Sequence, residues 1–171
     1  MKRVLAVIAV CLMTGVASLL AQTQPFPSEA KAAYGRVRGF LLAAAEKMPE
    51  ENYGFKATPD VRPFGQLIAH VADTQWMICS TAKGEHKQGD AASKTTKADL
   101  VAALKASFEY CDSAYDSLND ATIGQKVTLF QRDFSKLAVL FLNTSHDNEM
   151  YGTISVYLRL KGLVPPSSEK H

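Results

Sequence analysis

The stretch SKLAVLFLNTSHDNEMYGTISVYLRLKG, Ser135 to Gly162, decides the fold. Its spacing predicts a helix from about Ser135 to Lys161, stopped by Gly162 with Pro165 and Pro166 beyond. One face carries Val139, Leu142, His146, Met150, Ile154 and Tyr157. The opposite face carries Leu137, Leu140, Phe141, Tyr151 and Leu158. A helix apolar on two sides is expected between neighbours that bury both.

Working towards the N-terminus, three more helices follow the same period. Leu100, Leu104, Phe108, Cys111, Tyr115 and Leu118 form the cleanest stripe, and Thr96-Lys97-Ala98-Asp99 ahead of it resembles a capping box. Asn119 to Asp133 reads as a loop or irregular turn. A second helix opens at Pro63, with Leu67, His70, Val71, Thr74, Met77 and Ile78 on one face, and ends at Lys83-Gly84. The first runs from about Ser28 to Lys47, carrying Ala30, Tyr34, Val37, Leu41, Ala44 and Met48, and Pro49 prevents its continuation. No stretch alternates with period two for long enough to be read as a strand. Four helices of this length predict an all-α four-helix bundle.

Met1-Lys2-Arg3, the apolar run from Val4 to Leu20, and small residues before Gln22 have the order of a secretory signal peptide. The expected domains are therefore a signal peptide over 1–21 and a single bundle over 22–171. Cleavage after Ala21 fits best and cleavage after Ser18 is the alternative; a retained membrane anchor is the competing reading of the same run. The expected product is periplasmic or secreted, with no stable membrane insertion after cleavage.

The full chain of 171 residues has 19 basic and 17 acidic side chains. Cleavage removes Lys2 and Arg3 and no acid, leaving 17 of each sign, so no basic field points to nucleic acid. It also removes Cys11, leaving Cys79 and Cys111 as a candidate pair in an oxidising compartment. A fraction of 47% apolar residues excludes a disordered chain. There is no glycine-rich phosphate loop and no C-x-x-C.

Chemistry narrows to two histidines. His86 lies in a polar loop and His171 at the terminus, whereas His70 and His146 fall on the apolar stripes of their helices. Taken singly, each reads as a core histidine satisfied by hydrogen bonds. Together, from two helices of one bundle, they form a candidate metal pair. One turn beyond His146 stands Met150, whose thioether suits Cu(I) better than Zn²⁺. Asp73 and Glu149 lie at i+3 from the histidines and read as surface carboxylates.

Several motifs together resemble the DinB/YfiT-like superfamily: His70-Val71-Ala72-Asp73, Cys79 with Lys83-Gly84-Glu85, and His146-Asp147-Asn148-Glu149-Met150-Tyr151-Gly152. Tyr157 to Pro166 extends the match, which spans about Ser28 to Ser168. The resemblance implies a four-helix bundle, often a homodimer, with a long connection between helices two and three. It implies a divalent metal, Ni or Zn, held by one histidine of helix two and an H-x-x-x-H pair of helix four. His70 and His146 match two of these positions, and Met150 stands at the third. It also implies that helices two and three run parallel, which brings Cys79 and Cys111 to one level for a disulfide.

Two functions follow. One is an exported metal-dependent hydrolase or transferase acting on a small molecule, its triad degraded at Met150. The other is a non-catalytic bundle serving as a binding or interaction module.

Overall fold

The computed structural model describes residues 25–170, so the signal-peptide reading and His171 lie outside the described residues. Helix α1 is Pro25–Lys47, α2 Phe64–Ala82, α3 Lys97–Asp116 and α4 Lys136–Leu160. Local signals explain their ends. Thr96 accepts a hydrogen bond from the Asp99 amide to start α3, and Ser135 accepts one from the Ala138 amide to start α4. Gly84 and Gly162, each at φ +74°, take the left-handed conformation just past α2 and α4. No helix among the described residues is long and apolar enough to cross a membrane.

The helices run up, down, down, up. Leu100 of α3 lies against Gly65 in the first turn of α2, and Cys79 meets Cys111 near the far ends, so α2 and α3 are parallel. Lys31 pairs with Asp116, and Glu46 with Lys105, which sets α1 antiparallel to α3. The connection that permits the parallel pair is pinned by Asp73, whose carboxylate accepts the Ala91 and Ala92 amides at 2.8 and 3.0 Å. Trp76 stacks on Tyr110 (centroids 4.5 Å apart) and lies beneath Gly89 of this loop.

The predicted first-helix stripe is buried from Tyr34 to Met48, and the α3 stripe from Leu100 to Leu118. At the centre Tyr34 stacks on Tyr115 with centroids 3.9 Å apart. Two expectations need correction. The segment read as a loop contains an antiparallel hairpin, β1 (Lys126–Leu129) and β2 (Arg132–Ser135), in which Val127 pairs with Phe134 and Leu129 with Arg132. Its two turn residues, Phe130 and Gln131, both have positive φ (50° and 62°). Neither is the Asn or Gly that usually marks such a turn, and four-residue strands show too little alternation to read. The second correction concerns α4: Phe141 is 69% exposed and Leu142 38%, while Asn143 and Asp147 are fully buried.

Cys79 and Cys111 form a disulfide, with Cα atoms 5.3 Å apart and both residues completely buried. Replacing both with alanine is expected to lower stability by about 2–4 kcal/mol, because the cross-link restricts the unfolded chain. Thermal unfolding should register this as a fall in Tm of roughly 5–15 °C for a domain of this size. An unchanged Tm, or two reactive thiols in the unreduced, denatured chain from Gln22 onward, would contradict the cross-link.

Candidate functional site

Helices α2 and α4 bring the two histidines together. His70 Nε2 and His146 Nε2 are 3.2 Å apart, with ring planes at 72°. At that distance one Nε2 carries a hydrogen and the other accepts it, so at least one of the two rings is neutral. Burial holds both imidazoles below their ordinary pKa. Arg62 lowers His70 further, and His70 lowers His146, since a second positive charge this close is unfavourable. Asp73 and Glu149 pull weakly the other way on His70, as Glu149 does on His146. Neutral rings offer the lone pair that a metal ion needs.

The pair sits at the rim of the α2–α4 contact. Of the predicted inward stripe, Val139, Met150, Ile154 and Tyr157 are buried, whereas at the level of the histidines Asn143 and Asp147 enter the core in place of Leu142 and His146. The His146 side chain is 21% exposed. The shift matters for function, because it leaves the imidazoles within reach of solvent while Met150, 7% exposed, stays inside.

Beneath the histidines lies a polar cluster that the sequence reading missed. Gln75, Asn143 and Asp147 are all fully buried. Gln75 Nε2 donates to Asp147 Oδ1, and Asn143 Nδ2 donates to Gln75 Oε1 at 3.0 Å. Asn143 Nδ2 also lies 3.4 Å from Asp147 Oδ2 and from the Tyr115 hydroxyl. The Tyr115 hydroxyl in turn donates to the Leu140 carbonyl at 2.8 Å. Burial pushes the Asp147 carboxyl up to about 7, against the Gln75 hydrogen bond that lowers it. Asp147 Oδ1 is 4.0 Å from His146 Nδ1. With the acid raised and the imidazole lowered, this contact is not a charged pair near neutral pH. A signal for the cluster existed: Asn143 and Asp147 continue the three-and-four spacing of Leu140, Met150 and Ile154.

The remaining candidates separate cleanly. Asp73 spends its carboxylate on the 91–92 amides, Glu149 is exposed, and His86 is exposed in its loop. Among the described residues no three His, Cys, Asp or Glu side chains converge so as to hold a metal ion. An apolar groove of about 570 Å³ between the start of α1 and the start of α4 is lined by Phe26, Leu137 and Phe141 and by neither histidine.

A family model described as the DinB superfamily matches residues 33–154, most of the chain. The chain belongs to the DinB superfamily. Its fold resembles a DinB-like protein from Bacillus subtilis at TM-score 0.68 and 20% identity, covering 84% of this chain and 99% of that one. A DinB-like protein from Bacillus cereus ATCC 10987 is similar at TM-score 0.67 and 16% identity, covering 76% of this chain and 89% of the other. A mycothiol-dependent maleylpyruvate isomerase shares the fold at TM-score 0.60 and 16% identity, covering 78% of this chain and 66% of the isomerase. No curated protein matches this DinB-superfamily chain.

Nickel or zinc, which the resemblance implies, can be tested against these donors. Nitrogens 3.2 Å apart would subtend about 100–106° at an ion 2.0–2.1 Å from each, close to tetrahedral. The separation of these two donors is therefore compatible with such an ion. The third position does not fit, because a neutral thioether is a poor donor to a borderline divalent ion and no carboxylate or imidazole stands in for it.

Proposed function

We propose that this DinB-superfamily protein is an exported binding module, holding a metal ion at the His70–His146 pair without forming a complete divalent hydrolytic centre. The observation that carries this reading is the 3.2 Å approach of two Nε2 atoms from separate helices, with Met150 where a further donor is required. Three protein ligands plus an open position are the usual requirement for a metal to activate water, and here the third ligand is a weak one for such an ion. Export is supported by the signal-like N-terminal sequence and by the Cys79–Cys111 disulfide, which suits a periplasmic or secreted setting. The mature chain's balanced charge favours a small-molecule or ionic ligand over nucleic acid, and a homodimer is the assembly proposed from the resemblance.

A second reading, a metal-dependent hydrolase or transferase, is favoured by one observation, the meeting of two imidazoles from separate helices at a rim where the His146 side chain is 21% exposed. Metal analysis of untagged protein from its native host separates the two. A transition metal other than zinc or nickel, lost on His70→Ala, is the expected result. Less than about a tenth of an equivalent of any transition metal would remove the metal-centred reading altogether. Zinc or nickel at full occupancy would favour the enzyme.

A further inference from the structure

We propose that the site selects monovalent copper, with His70 Nε2, His146 Nε2 and the Met150 thioether as its three protein donors. This rests on the reading of the histidine pair as a metal centre and says which ion that centre takes. The argument is one of donor softness and of which hard donors the fold has withdrawn.

Three carboxylates lie near the pair in sequence, and each is turned to another use or to solvent. Asp73 accepts two backbone amides at 2.8 and 3.0 Å. Asp147 accepts Gln75 and Asn143 inside the core and approaches the far nitrogen of His146, not Nε2. Glu149 points out from α4 as an exposed residue. The cysteine sulfurs are tied to each other. The donor left on the buried line, one turn from His146, is the Met150 sulfur, and side chains at i and i+4 are neighbours.

Two borderline imidazoles and one soft thioether form a neutral set with no hard donor. That set suits Cu(I), a singly charged soft ion, whereas a divalent ion would bring two uncompensated charges against a partly buried wall. Neutral imidazoles bind Cu(I) through lone pairs, and the ring that donates in the His70–His146 hydrogen bond need only move its hydrogen to Nδ1. No electron or net proton transfer is required.

The test is an anaerobic titration of the chain from Gln22 onward with Cu(I), in competition with a chromophoric Cu(I) chelator. Ascorbate serves as reductant, because a thiol would endanger the disulfide. Zn²⁺ and Ni²⁺ are titrated in parallel. The expected result is one equivalent of Cu(I), bound more tightly than either divalent ion. Met150→Leu, a volume-conserving change, should weaken Cu(I) at least about ten-fold and leave Zn²⁺ affinity nearly unchanged. Copper X-ray absorption on the wild-type chain gives a readout independent of any variant, and should contain one sulfur scatterer beside nitrogen. Absence of that scatterer, tighter Zn²⁺ or Ni²⁺ than Cu(I), or no response to Met150→Leu would overturn copper selection while leaving the metal centre standing. Failure to bind any of the three ions, or binding unaffected by His70→Ala and His146→Ala, would overturn both.

Discussion

Met150→His should convert the pair into a three-imidazole centre and raise Zn²⁺ affinity at least about 100-fold, the upper end of the cost of losing even an outer partner of a metal site. The reasoning is positional. His146 and residue 150 are one helical turn apart, so a histidine there is a neighbour of the existing pair. The two nitrogens already stand 3.2 Å apart, close to the spacing that a tetrahedral ion demands. In the metal-free protein the variant should be less stable by about 1–3 kcal/mol, because a polar ring replaces a thioether at a position only 7% exposed. Adding Zn²⁺ should then recover the loss, since a ligand that binds only the folded state stabilises it. Competition with a fluorescent zinc chelator measures the affinity, and thermal unfolding with and without Zn²⁺ measures the linkage. If the variant folds and binds Zn²⁺ no better than the parent, residue 150 does not face the pair and the metal-centred reading loses its geometry.

The second large effect is a pH dependence carried by Asp147. Its carboxyl is raised by burial to about 7, from a value near 4 in the unfolded chain. Between those values the folded state keeps the proton and the unfolded state releases it. Stability from this group is therefore complete below about pH 4 and is lost as pH rises through 7, a change of up to about 4 kcal/mol. The groups facing it are His146 at 4.0 Å, and Tyr34 and Tyr115, whose hydroxyls burial pushes well above their ordinary range. The histidines act in the opposite direction. Their lowered values make the folded state lose stability as pH falls below the unfolded histidine pKa near 6.5. The wild-type curve alone therefore mixes the two effects. The decisive quantity is the difference between wild type and Asp147→Asn, which keeps the shape and the Gln75 hydrogen bond while removing the titration. That difference should drift in favour of the variant by up to about 4 kcal/mol between pH 4 and pH 7 in urea unfolding. A flat difference would show that Asp147 is ionised in the folded protein.

Much of the architecture was legible because it depends on period and punctuation. Leu100, Leu104, Phe108 and Cys111 recur at the helical period behind a Thr96 cap, and they are buried as that period requires. Gly84 and Gly162 closed helices where the glycine signal placed them. The hairpin at 126–135 was not legible. Its strands are short, and its turn is made by Phe130 and Gln131, which carry no turn signature.

The site divides along the same line. That His70 and His146 lie on helices rich in apolar residues, with Met150 a turn beyond, follows from local spacing and needs no tertiary information. Their meeting at Nε2, their place at the rim, and the burial of Gln75, Asn143 and Asp147 beneath them depend on how α4 rolls against α2. On a helix with apolar residues on two sides, a small roll leaves Val139, Met150, Ile154 and Tyr157 buried and still changes which polar groups enter the core. Only the packed bundle decides that roll, because the decision is made by satisfying hydrogen bonds between residues some 70 positions apart, such as Gln75 and Asn143.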